Sequence, residues 1–61
     1  MSNQQNLKVQ IDCQSKINEE LKKLHILAQE TKNEALTKDI HSISNITDRM
    51  LERLNIEIDK L

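Results

Sequence analysis

From residue 17 onward the apolar positions fall at helical spacing. Ile17, Leu21, Leu24, Ala28, Thr31 and Ala35 are separated by steps of 4, 3, 4, 3 and 4 residues, the a/d rhythm of a coiled-coil seam. Leu36, Ile40, Ile43, Thr47, Met50, Leu54, Ile58 and Leu61 carry the rhythm to the end of the chain. The two stripes are one residue out of register at Ala35 and Leu36. Four-residue steps through Ala28, Lys32, Leu36 and Ile40 join them, a stutter that locally relaxes a left-handed supercoil. The chain has no Gly and no Pro to break a helix there. The pattern therefore predicts an all-α protein. It is read as a single long amphipathic helix, residues 13–61, that forms a coiled coil or a three- or four-helix bundle with other chains.

Residues 1–12 form a polar, frayed lead-in. The alternation of apolar and polar residues from Leu7 to Cys13 imitates a strand, but a lone strand has nothing to pair with, and a helical lead-in fits the pattern that follows. In the second half Ile46, Leu51 and Ile56 flank the main stripe, an apolar face wider than a two-stranded seam needs. Three or four packed helices, identical or different, suit it better than two. Glu19 with Lys23 and Glu34 with Lys38 stand four residues apart in the favourable order and read as a solvated face. Partner helices are a physical requirement of this reading. An isolated helix of about 50 residues would be about 75 Å long with no interior, and helices draw most of their stability from packing an apolar face. The expected interaction seam is Ile17, Leu21, Leu24, Ala28, Leu36, Ile40, Ile43, Thr47, Met50, Leu54, Ile58 and Leu61.

Composition sharpens this picture. The chain has 61 residues, no aromatic residue, 36% hydrophobic and 31% charged residues, and a net charge of -1. So short a chain without large aromatic side chains builds a compact core with difficulty, and the charged, aliphatic composition suits a long helix. Acidic and basic residues are interspersed, so no basic block offers an electrostatic footprint for nucleic acid. No apolar run reaches the roughly 18 residues of a membrane span. The Met1–Asn6 opening is polar and unlike a signal peptide. A helix lying on a membrane surface would carry a more basic polar face and aromatic anchors. Cys13 is the only cysteine, which allows no internal disulfide and suits a reducing, cytoplasmic setting.

Candidate chemistry is sparse. His25 and His41 are sixteen residues apart and on one helix could not share a metal; no HExxH, CxxC or Glu-x-x-His spacing occurs. The paired carboxylates Glu19 and Glu20, or Asp48 and Glu52, have no cleft around them. Ser42 and Ser44 lack an orienting base. No catalytic residue, metal ligand or cofactor is expected. Cys13 reads as a small apolar residue on the early seam, and Thr31 and Thr47 as polar seam residues of the kind that set register.

The stretch Leu24-His25-Ile26-Leu27-Ala28-Gln29-Glu30-Thr31-Lys32-Asn33-Glu34-Ala35 resembles the middle of a SNARE motif, in which small and branched residues recur in layers ahead of a central polar layer. The resemblance covers about a dozen residues. Extending its frame places Lys38 where that family carries Gln or Arg, and then Ser42, Asn45, Arg49 and Glu52, all polar, where layers belong. Ile43–Leu61 is similar, less specifically, to small trimeric coiled-coil proteins of the heat-shock-factor-binding type. The sequence thus leads to a non-enzymatic structural or interaction protein that contributes a helix to a multi-chain assembly. The alternative that the resemblance implies is a membrane-fusion helix zipping into a four-helix bundle.

Overall fold

The computed structural model describes residues 2–61. It is all-helical among these residues, but the helix is not continuous. Helix α1 runs Asn3–Glu30 and helix α2 runs Glu34–Asp59, folded back on each other as an antiparallel hairpin with extents of 44 × 16 × 12 Å. The expected single rod is corrected to two helices of 28 and 26 residues. Folding back gives each helix an apolar neighbour at the small entropic cost of closing a three-residue loop.

The turn is made without glycine. Lys32 adopts the left-handed conformation, φ 55°. Its amide donates to the Gln29 carbonyl at 3.1 Å, and the Asn33 amide donates to the Ala28 carbonyl at 2.9 Å. Those two bonds are the 5→2 and 6→1 pair of a Schellman motif, which satisfies carbonyls that the end of α1 would leave open. Asn33 then starts α2: its side-chain oxygen accepts the Leu36 amide at 3.1 Å. The Glu34 carboxylate in the first turn suits the positive end of the helix dipole. Thr31 and Thr37 hydroxyls donate back to carbonyls on either side, Thr31 to Ala28 at 3.1 Å and Thr37 to Asn33 at 2.8 Å.

The other end of α1 is capped by Ser2, whose hydroxyl accepts the Gln5 amide at 3.1 Å while the Gln5 side chain accepts the Ser2 amide at 3.3 Å. Residues 7–13, strand-like in their alternation, lie inside this helix.

Candidate interaction face

Burial locates the contact between the two helices. On α1 the buried or half-buried positions include Leu7, Ile11, Gln14, Asn18, Leu21, His25 and Ala28; on α2 they include Thr37, Ile40, Ser44, Thr47, Leu51, Leu54 and Ile58. Both sets step by alternating threes and fours, so each helix presents the a and d positions of a heptad to the other. Ala28 and Ile40 are the buried apolar residues, 3% and 2% exposed, and Gln14 and Thr47 are the buried polar ones. Six of these fourteen residues are polar, which makes the seam a modest hydrophobic contact. The two buried polar side chains bond locally: the Gln14 side-chain amide donates to Asn18 Oδ1 at 3.0 Å, and the Thr47 hydroxyl to the Ser44 carbonyl at 3.1 Å.

Part of the seam expected to meet partner helices lies outside the contact between the two helices of the hairpin. Ala28, Ile40 and Thr47 are buried, and Leu21, Leu36, Leu54 and Ile58 half-buried, whereas Ile17, Leu24, Ile43, Met50 and Leu61 are exposed. Four of these five exposed members, all but Leu61, have a common geometry. Ile17 and Leu24 immediately precede the seam residues Asn18 and His25; Ile43 and Met50 immediately precede Ser44 and Leu51. These are the g positions of their heptads. In an antiparallel pair, reversing one chain brings g beside g and e beside e, so all four lie on one side of the hairpin. Half-buried Leu36 continues the row, and exposed Leu27 and Ile46, four residues before Thr31 and Met50, widen it.

The opposite side carries Ser15, Lys22 and Gln29 of α1 and His41, Asp48 and Asn55 of α2 at the e positions. The first side is mainly apolar and the second mainly polar, with exposed Ile26 beside it. The apolar side is largely open to solvent in the single chain, and it is the strongest candidate for a functional surface. Cys13, expected on the seam, is exposed at the rim of this face. Lys38 is exposed, on the polar side of α2.

Folding back also joins two residues that the sequence keeps apart. The imidazoles of His25 and His41 meet edge to face with ring centroids 5.4 Å apart, and His25 Nε2 is buried without a hydrogen-bond partner. Leu21, Lys22, Ile26 and Ser44 complete an open groove beside them. Among the described residues no three His, Cys, Asp or Glu side chains gather as metal ligands. At the other end Asn3, Asn6, Leu7, Gln10, Glu57, Lys60 and Leu61 line a second open groove. Lys23 bonds Glu20 at 3.1 Å, three residues back, rather than Glu19. Among the described residues no helix is long and apolar enough to cross a membrane.

No protein-family model, curated protein or solved structure matches the chain.

Proposed function

We propose that this chain is a non-enzymatic interaction module, a helical hairpin that contributes two helices to a multi-chain helical assembly through the face bearing Ile17, Leu24, Ile43 and Met50. The observation that carries the reading is the placement of those four branched or long apolar residues on one side of the hairpin, outside its own seam. A helix needs apolar residues at a and d to pack on one neighbour; apolar residues at g as well widen the stripe toward a second neighbour. Three- and four-helix packing supplies that neighbour, and the polar e side stays in water.

The fusion-helix alternative asks more of the chain. Its SNARE-like stretch, residues 24–35, contains the turn at Lys32 and the cap at Asn33. Zipping as one helix would require both to be undone. The hairpin reading uses them.

A photo-activatable residue placed at Leu24 or at Ile26 in the full chain tests the proposal in cells. Both positions are exposed in the single chain, 41% and 56%, but Leu24 is on the apolar side and Ile26 is not. Discrete adducts from position 24 and not from position 26 are expected. Equal adducts from both, or none from either, would contradict a partner on that face.

A further inference from the structure

The occupant of the open face can be deduced from its size and symmetry, on the reading that the face is an interface at all. We infer that it is covered by a second copy of this chain, stacked face to face with the two turns at opposite ends, to make a four-helix bundle.

Area is the first argument. The chain exposes 5013 Å2, whereas a compact monomer of 7.1 kDa is expected to expose about 4,100 Å2. The excess is close to the roughly 800 Å2 that each partner gives to a stable interface of standard size.

Symmetry is the second. A two-fold interface requires a patch complementary to itself. Ile17 and Leu24 are centred between residues 20 and 21 of α1; Ile43 and Met50 are centred between residues 46 and 47 of α2. The His25–His41 ring contact places these two residues near one level of the hairpin. Counted from that contact along both helices, the two midpoints fall at the same level to within about one residue, or about 1.5 Å. A two-fold axis across the helices at this level sets Ile17 against Leu24 of the second copy, and Ile43 against its Met50.

Charge is the third. Asp39, Ile46 and Arg53 lie one heptad apart along the outer edge of the face on α2, and both charged residues are exposed. The same axis passes beside Ile46, so Asp39 of each copy meets Arg53 of the other. Opposite charges therefore meet twice across the rim. With the turns at the same end that exchange would be lost.

Sedimentation of the full chain, of Asp39→Arg, of Arg53→Asp and of the double variant tests the assembly. Within one chain the two residues are about 21 Å apart along the helix, so they cannot compensate each other there. The parent chain should be a dimer. Each single variant should dissociate roughly tenfold more readily, since the change acts at both symmetry-related contacts, and the double variant should recover most of the loss. A parent chain that stays monomeric at millimolar concentration overturns self-pairing; if position 24 still gives adducts in cells, the face serves a different protein and the broader proposal stands. A dimer whose double variant fails to recover overturns the arrangement with opposed turns.

Discussion

The Asn33 amide donates to the Ala28 carbonyl at 2.9 Å, across the left-handed Lys32. Asn33 also caps α2 through its side chain, so the residue that ends one helix begins the next. The hairpin is thus written locally, in three residues. A lysine in the left-handed region is strained by its Cβ, at a cost of about 1 kcal/mol or somewhat more. Lys32→Gly should accordingly stabilise the fold by up to about 1 kcal/mol in chemical denaturation at fixed protein concentration, and Lys32→Val should destabilise it. A Gly variant less stable than the parent would contradict the turn.

Removing the cap should be costly in the opposite sense. Asn33→Ala is expected to lose about 1 kcal/mol, while Asn33→Asp, which keeps the acceptor, should stay close to the parent. The same denaturation series measures both. Equal losses from the two changes would mean that the side-chain bond to the Leu36 amide contributes nothing.

Ile40 is the most deeply buried apolar side chain described, at 2% exposure. Truncation to Ala should lower stability by about 2–5 kcal/mol through lost transfer energy and the cavity left behind. Glu19→Gln on the solvated face should stay within about 0.5 kcal/mol. Comparable effects from the two would remove Ile40 from the seam.

His25 occupies a seam position with its Nε2 buried and without a partner. Leaving such a group unpaired costs about 1–3 kcal/mol, so His25→Leu should raise the melting temperature. A drop would show instead that the edge-to-face contact with His41 is worth more than the buried nitrogen costs.

The helical period of residues 17–61 was legible from the sequence, and with it the all-α class. The turn was not, because neither of the usual helix-ending residues is present and Lys32 takes the place that glycine would fill. Two signals did mark it. Asn33 followed by Glu34 has the composition of an N-cap and an acidic first turn, and the apolar stripe slips by one residue at Ala35 and Leu36. A stutter and a chain reversal produce the same slip, and periodicity alone does not separate them.

The candidate face was half legible for a related reason. The stripe through Ile17, Leu21, Leu24 and Ala28 follows the d and g positions, midway between the hairpin seam and the open side. Polar residues at Asn18, His25 and Ser44 concealed that their own line faces the other helix. Once the chain reverses, the same stripe divides into an inner row that the hairpin covers and an outer row that it does not. The meeting of His25 and His41 was illegible until that reversal.

In the proposed assembly a partner covers the outer row and leaves the back of the hairpin in water. Ile43 and Ile56 are the matched pair that tests it: the same residue type on the same helix, 46% and 49% exposed in the single chain, on different sides. Ile43→Cys and Ile56→Cys, each in a Cys13→Ser background, would be labelled with a maleimide under native conditions and again in denaturant. The native assembly should label position 56 nearly as fast as the denatured chain, and position 43 at least tenfold more slowly, which corresponds to about 1.4 kcal/mol of protection. Equal native rates at the two positions would contradict the account.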